Sequence, residues 1–216
     1  MEMRNEKGEV LGILNVASLQ AESTIDIVIR ELKPGFGKGI YLADDKKISQ
    51  QTNYAPVNWL DGLDELKAKA SSWEPVFPAN AEVKGIQVYY GFDNLTQEEI
   101  DEMAIESANT GKDVVRDLKP NDTFVGVSLL YRKEETSFQF RIFGTTKSRI
   151  HVPDVDKHTI EYLTIRSNEA VYVGDNEIQQ LIWAEMGPTM GKALQYEVLA
   201  ERSNRDWLIS ITETLS

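Results

Sequence analysis

The chain has 216 residues, of which 41% are apolar, and this is enough for one large domain or two small ones. Its 35 acidic and 23 basic residues give a formal net charge of -12, which opposes binding to nucleic acids and to anionic membrane surfaces. The sequence contains no cysteine, so disulfides, thiolate nucleophiles and sulfur-ligated zinc are excluded.

The N-terminal part of the chain predicts short strands joined by turns. Residues 10–16 form an apolar run, residues 25–32 alternate isoleucine with other residues, and residues 39–43 predict a further strand. The Pro34-Gly35 pair predicts a turn ahead of the last of these strands. For residues 50–58 we predict an irregular connection.

A first helix is predicted over residues 60–71, where apolar residues recur at spacings of three and four. The members of this apolar face are Leu60, Leu63, Leu66 and Ala70. Residues 83–90 then predict a strand whose buried face carries Ile86 and Val88.

A second helix has the clearest start signal in the chain. Thr96 and Glu99 are spaced as a capping box, in which each side chain accepts a hydrogen bond from the other residue's backbone N–H. Gly111 is placed to end this helix, and we predict a polar connection over residues 113–122.

From residue 123 onward the pattern predicts an antiparallel meander and a closing helix. The strands are predicted over residues 123–132, 137–144, 158–166, 169–174, 178–185 and 193–200. The final helix is predicted to begin near Ser203 or Asn204. Together these elements predict a single α+β domain over residues 1–216, in which the placement of the strands within residues 1–56 is left open.

Both histidines lie in one short stretch with two aspartates. Imidazole and carboxylate groups can share a zinc or manganese ion, and the candidate ligands are His151, Asp154, Asp156 and His158. However, the spacing matches no standard metal motif, and Pro153 with the aspartates is typical of a turn. We therefore predict a solvated loop between two strands, and neither a metal nor another cofactor.

Other motifs give little support for catalysis. Residues 187–193 are one residue short of a nucleotide-binding loop, with Ala193 where a magnesium-binding hydroxyl is needed. The two histidines share one predicted loop region and there is no Gly-x-Ser-x-Gly turn, which argues against a serine hydrolase. We predict that the protein is not an enzyme.

Large aromatic and aliphatic residues of the C-terminal part form a candidate apolar groove. Its residues are Trp183, Tyr196, Trp207 and Ile211. Such residues can line a groove for an apolar ligand, although more often they form the core. We predict that they meet between sheet and helix, in a core that is either filled or hollow.

Six segments of the C-terminal part carry a family resemblance. They are SerLeuLeuTyr at 128–131, PheGlnPheArgIle at 138–142, AlaValTyrVal at 170–173, LeuIleTrpAlaGlu at 181–185, TyrGluValLeu at 196–199 and IleThrGluThrLeu at 211–215. Upstream, a helix over residues 63–70 leads into TrpGluProValPhePro at 73–78. The order resembles the bacterial domain of unknown function 4367, usually found as the C-terminal extracytoplasmic part of membrane proteins. The connection over residues 186–192 is longer than is usual in that family, and residues 1–56 have no counterpart there.

The resemblance implies a fold similar to periplasmic lipoprotein carriers, with a curved, mostly antiparallel sheet and helices packed on one face. It brings no catalytic residues. In some relatives the domain follows a membrane span and a cytoplasmic anti-sigma-factor segment. We therefore expect a noncatalytic extracytoplasmic sensing or binding domain, whose parent reaches the membrane only through a segment absent from this chain.

Several alternatives remain open at this stage. The domain could carry an apolar ligand or lipid between sheet and helices, or it could bind a protein partner. It could also be a metal-dependent hydrolase that uses His151, Asp154, Asp156 and His158. A cytoplasmic location is the alternative to the extracytoplasmic one.

Overall fold

The computed structural model describes residues 2–13, 23–79, 81–145, 158–175, 177–187, 193–201 and 203–216. Within these residues the protein is a mostly antiparallel sheet structure with four helices. Its chain divides into two compact units. The first comprises Met1–Ser18, Asn58–Val88 and Val125–Ser216, and the second comprises Leu19–Val57 and Tyr89–Phe124.

The largest sheet has eight strands in the order β10-β11-β12-β13-β9-β8-β6-β5. Its strands along the chain are β5 (Val57–Asn58), β6 (Glu82–Phe92), β8 (Pro120–Lys133), β9 (Thr136–Thr145), β10 (Thr159–Ile165), β11 (Asn168–Gly174), β12 (Ile178–Met186) and β13 (Ala193–Glu201). The six strands predicted from residue 123 onward are confirmed, with each boundary within a few residues of its expected position. They do not form one continuous meander, because β9 pairs with β13 and not with the next strand β10.

The first unit also contains a two-stranded hairpin of β1 (Glu2–Arg4) and β2 (Val10–Ile13). Met3 and Leu11 of this hairpin are buried in one cluster with Ala184 and Ala193. Two short helices belong to the same unit, α2 (Leu63–Lys69) and α4 (Arg205–Thr212). Helix α4 begins where the sequence predicts, because the Asn204 side chain accepts a hydrogen bond from the Trp207 N–H.

The second unit contains a three-stranded sheet and two helices. Its sheet has the order β4-β3-β7, formed by β3 (Phe36–Leu42), β4 (Lys47–Asn53) and β7 (Val114–Asp117). The helices are α1 (Thr24–Glu31) and α3 (Gln97–Thr110), and α3 packs on β3 and β7. The predicted capping box of α3 is present, and Gly111 ends the helix at φ 67.

Three predictions for the N-terminal half are wrong. The segment predicted as a strand over residues 25–32 is helix α1, which starts because the Ser23 hydroxyl accepts a bond from the Asp26 N–H. Ile25, Ile27 and Ile29 alternate as they would on a strand, but Ile25 and Ile29 are also four residues apart, as on one face of a helix. Their spacing alone therefore does not distinguish a strand from a helix. The connection predicted for residues 50–58 includes most of β4, and the one predicted for 113–122 includes β7.

The first predicted helix is shorter than expected. Gly62 is the N-cap of α2, so Leu60 lies outside the helix and is 94% exposed. Leu66 and Ala70 are buried as the predicted apolar face requires. On β6, Val88 is buried, and Ile86 is only half-buried.

Candidate functional site

The candidate groove residues of the sequence lie in a packed aromatic layer of the eight-stranded sheet. Trp183 and Tyr196 are opposite each other on β12 and β13, and their rings stack with centroids 5.2 Å apart. The Phe140 ring contacts both, at 6.4 Å and 6.0 Å. Trp183 and Tyr196 are almost fully buried, so at this point the rings fill the space between them.

Helix α4 supplies the other two groove candidates. Ile211 is fully buried, and the Trp207 ring meets Phe138 edge-on at 5.5 Å. The helix contacts both β12 and β13. All four residues therefore belong to the first unit, on the large sheet or on α4. Trp183 and Tyr196 contact each other, and Trp207 contacts Phe138 of β9.

The polar atoms of the stacked Trp183 and Tyr196 rings have partners. The Trp183 indole N–H donates to Oε1 of Glu185 over 2.9 Å, and Nε of Arg166 donates to the same oxygen over 2.9 Å. The Tyr196 hydroxyl accepts a bond from the Val76 N–H over 3.4 Å. Burial raises the pKa of Tyr196 far above its usual range, so its phenol is neutral and no proton-transfer role follows from it.

A polar cleft of about 380 Å³ opens beside the start of α4, where β10, β11 and β12 end. The side chains that give it its chemistry are Glu161, Tyr172, Asp175, Gln179, Ser203 and Arg205. Three strands, the β11–β12 connection, the segment before α4 and the first residue of α4 contribute them, and no two of these residues are adjacent in the sequence. The strand register brings them together, because Glu161 lies opposite Tyr172 and Gly174 lies opposite Gln179.

The floor of the cleft is a hydrogen-bonded pair on β11 and β12. The Tyr172 hydroxyl donates to Oε1 of Gln179, and the Gln179 amide donates to the Asp175 carbonyl. A Cβ atom on Gly174 would overlap both the Tyr172 hydroxyl and the Gln179 carbonyl oxygen, so the two side-chain ends would have to move if this residue were not glycine. Burial, and then the Glu161 carboxylate, raise the pKa of Tyr172.

Charged groups form the walls of the cleft. Nε of Arg205 lies 2.8 Å from Oε2 of Glu161, and Nη1 of Arg205 donates to Asp206 over 3.0 Å. Oδ1 of Asp175 accepts the N–H groups of Glu177 and Ile178, both over 2.7 Å. The bonds from Ile178 and then Glu177 lower the pKa of Asp175, so this carboxylate is ionised at neutral pH.

One hydroxyl of the cleft has unused hydrogen-bonding capacity. Oγ of Ser203 is buried, and among the described residues it has no hydrogen-bond partner. A buried polar atom without a partner costs about 1–3 kcal/mol. A bound molecule with a polar group at this position would remove that cost.

Most of the candidate metal ligands fall outside the described residues, namely His151, Asp154 and Asp156. His158 is described, and its Nε2 atom lies 3.4 Å from Oδ2 of Asp175 at the edge of the cleft. Across the described ranges, no three histidine, aspartate or glutamate side chains gather as metal ligands would. The four-residue metal site stays an untested alternative to the predicted solvated loop.

A second opening lies beside the turn between β8 and β9. This groove of about 640 Å³ is lined in part by Leu130, Phe138, Gln139, Leu199 and Glu201. Leu130 is 46% exposed there, so the groove has apolar surface open to solvent.

A buried polar row lies on the side of the sheet opposite the aromatic layer. Arg141 and Glu197 are cross-strand neighbours on β9 and β13, with Nη1 and Oε2 3.5 Å apart. The other members are Ser128, Gln139, Gln180 and Gln195, each hydrogen-bonded within the row. Ser128, Gln195 and Glu197 are all more than nine-tenths buried.

No family model, curated protein or solved structure matches the chain. The resemblance to the domain of unknown function 4367 therefore stays a prediction. Among the four described helices, none has the length and apolar character that crossing a lipid bilayer requires.

Proposed function

We propose that this chain is a noncatalytic sensing or binding domain that takes a small polar ligand in the cleft beside α4. In this proposal it belongs to the extracytoplasmic part of a membrane-anchored regulatory protein of the family it resembles, with its helices packed on one face of a curved sheet. The observation that carries the binding role is the cleft itself, which combines fixed polar side chains with a Ser203 hydroxyl that has no partner among the described residues.

The packing of the aromatic layer supports a binding domain over a lipid carrier. A carrier needs a continuous apolar cavity of several hundred Å³ between sheet and helices. In this layer Trp183, Tyr196 and Phe140 are in ring contact and almost fully buried. A ligand placed among them would have to displace these contacts.

The charges of the cleft favour a neutral or cationic ligand. Among the described lining residues, Glu161 and Asp175 contribute two carboxylates and Arg205 contributes one guanidinium, within a chain of net charge -12. An anionic ligand would meet net repulsion. Hydroxyl or amine groups match the carboxylate, amide and hydroxyl atoms of the lining. The ligand class is therefore a small polyol, sugar or amine.

Calorimetric titration and thermal unfolding test this proposal with three sets of solutes: neutral polyols and sugars, small amines, and dicarboxylates. We expect saturable binding within the first two sets only. At a concentration about one hundred times Kd, the ligand raises the free energy of unfolding by about 2.7 kcal/mol.

Variants assign the binding to the cleft. Glu161→Gln removes one of the two carboxylates and the ion pair with Arg205, and we expect at least tenfold weaker binding. The matched control is Glu135→Gln, which removes an exposed ion pair with Arg132 at the β8–β9 turn and should bind as the wild type does. The proposal fails if no neutral or cationic solute binds, or if Glu161→Gln binds normally.

The location is tested separately in cells that make the full-length parent protein. We expect added protease to cleave this domain in intact cells once the outer envelope is permeabilised. Protection until the inner membrane is broken would place the domain in the cytoplasm instead.

A carrier role is the second candidate function, and the groove at the β8–β9 turn favours it through the exposed Leu130 side chain. Native mass spectrometry of the purified protein tests it. A co-purified lipid, lost in Leu130→Lys, would support the carrier and contradict our preferred proposal.

A further inference from the structure

Strand β10 is an open edge of the eight-stranded sheet. Among the described strands it pairs with β11 on one side and with none on the other. The opposite end of the same sheet is β5, which has only two residues. Very short strands, lysine, proline or bulges usually protect sheet edges. Strand β10 has seven residues, ThrIleGluTyrLeuThrIle, without lysine, proline or a bulge, and Glu161 is its only charged residue.

The β10–β11 turn determines which backbone groups face outward. The turn is the pair Arg166-Ser167, with φ values of 49 and 64, and Ile165 lies opposite Asn168 next to it. In a two-residue hairpin this closing pair is hydrogen-bonded, and such pairs alternate along the strand. Ile160, Tyr162 and Thr164 therefore direct their N–H and C=O groups away from β11.

The three residues whose backbone N–H and C=O groups point away from β11 also have side chains that favour pairing with another strand. They are an isoleucine, a tyrosine and a threonine, all residues that stabilise cross-strand pairs. Tyr162 is 62% exposed, which leaves this position accessible. The one charged residue of the strand, Glu161, points to the other side and is paired with Arg205 over 2.8 Å.

We infer that two copies of this chain associate through β10, which pairs with the second copy's β10 in antiparallel orientation about Tyr162. This register places the two Tyr162 residues opposite each other and forms about six main-chain hydrogen bonds. Ile160 meets Thr164 of the second copy, and Glu161 meets Leu163. No like charges lie opposite each other, so the strand is complementary to itself.

Net charge sets the salt dependence of this dimer. Each copy carries a formal charge of -12, so the two copies repel each other at long range. No ion pair joins the two copies across the proposed interface, so salt screens no attraction there. Added salt should therefore strengthen the dimer, whereas it would weaken association through ion pairs. The inference goes beyond the proposed function and stands even if the cleft binds nothing.

Sedimentation over a range of protein concentrations, at low salt and at about 0.5 M NaCl, tests the dimer. We expect a monomer–dimer equilibrium whose Kd is lower at the higher salt. Tyr162→Lys places two like charges at the centre of the interface and should raise Kd at least tenfold. Leu130→Lys, a similarly exposed apolar residue on an inner strand of the same sheet, should leave Kd unchanged.

Site-directed cross-linking tests the register, because the natural chain has no cysteine. In a hydrogen-bonded antiparallel pair the Cα atoms are about 5.5 Å apart, within the range of a disulfide or a short bis-maleimide reagent. Tyr162→Cys should cross-link with itself. Thr164→Cys should cross-link poorly alone and efficiently in the Ile160→Cys/Thr164→Cys double variant.

Three results would overturn the inference. These are a monomer at high salt and high protein concentration, an undiminished dimer in Tyr162→Lys, and cross-linking of Tyr162→Cys no faster than that of Leu130→Cys. Circular dichroism of Tyr162→Lys should match the wild type, since its side chain is exposed and its backbone groups do not bond β11.

Discussion

Arg141 and Glu197 face each other across β9 and β13, and their charges are held together on the buried polar row of the sheet. Glu197 is 7% exposed and also accepts bonds from Gln180 and Gln195. Removing one partner of a buried ion pair leaves the other charge uncompensated, which costs more than the pair itself contributes.

We expect Arg141→Met to lower the free energy of unfolding by about 2–3 kcal/mol, somewhat less than for a fully buried pair because Arg141 is partly exposed. The double variant Arg141→Met/Glu197→Leu should recover most of that loss. Urea denaturation measures both. Arg132→Met, at an exposed pair, serves as the control and should cost less than about 1 kcal/mol. A loss in Arg141→Met no larger than in the control would contradict the prediction.

Two buried tyrosines should respond differently to loss of the hydroxyl. The Tyr131 hydroxyl is buried and, within the described residues, has no hydrogen-bond partner, whereas the Tyr196 hydroxyl accepts from the Val76 N–H. We expect Tyr131→Phe to leave stability unchanged or raise it by about 1 kcal/mol, and Tyr196→Phe to lower it by a similar amount. Thermal and urea unfolding at pH 7 decide between these signs, and equal losses in both variants would be evidence against the assignment.

The same tyrosines predict a loss of stability in alkali. Burial raises the folded-state pKa of Tyr131 above the value near 10 of an unfolded chain. A raised pKa means that the stabilisation is complete below about pH 10 and is lost as the pH rises above it. Compared with the wild type, Tyr131→Phe should lose less stability between about pH 9 and 11, as urea denaturation at each pH would show.

Gly174 should be intolerant of alanine because of the Tyr172–Gln179 pair. An added Cβ would overlap both partners, and we expect a loss of about 1–3 kcal/mol together with weaker ligand binding in the cleft. Gly85→Ala is the matched control on β6, where the nearest atom to a new Cβ is 4.0 Å away. Thermal unfolding of the two variants should differ clearly, and similar melting temperatures would refute the close packing inferred at Gly174.

The capping box of α3 should make this helix sensitive to acid. Bonds from the Thr96 backbone and side chain lower the pKa of Glu99, so its contribution is present above the usual pKa and is lost as the pH falls below it. We expect Glu99→Gln to reduce the acid-induced weakening of α3, read by hydrogen exchange between about pH 5 and 3. Glu98→Gln, outside the capping box, should behave as the wild type; an identical response of both variants would contradict this role.

Local signals account for the parts of the fold that could be predicted. The capping box at Thr96, the Asn204 N-cap and the turns of the C-terminal meander each act within a few residues, and each is where the sequence places it. Helix α1 has a local start signal in the Ser23 N-cap, but strand β4 has none. The isoleucines of α1 fit two periods, and the polar β4 takes its conformation from pairing with β3 over seven residues.

The cleft could not be predicted because its residues converge only through register. Glu161, Tyr172 and Gln179 are ordinary strand residues in the sequence, and no spacing rule connects them with Arg205. A shift of one residue in any of these strands would turn its side chain to the other face. The groove candidates could be predicted because alternate side chains of a strand share a face, as Trp183 and Tyr196 do on theirs, and because residues four apart, such as Trp207 and Ile211, share a face of a helix.

The strand order of the large sheet also bears on how the chain folds. Strands β10 to β13 pair in the order in which they are synthesised, so each step closes only a short loop. The pairing of β13 with β9 is different, because β9 ends at Thr145 and β13 begins at Ala193, and three strands lie between them. Closing that long loop is the entropically expensive step. We therefore expect the transition state for folding to contain the β10–β13 meander and the β8–β9 hairpin, with the seam between β9 and β13 joined late.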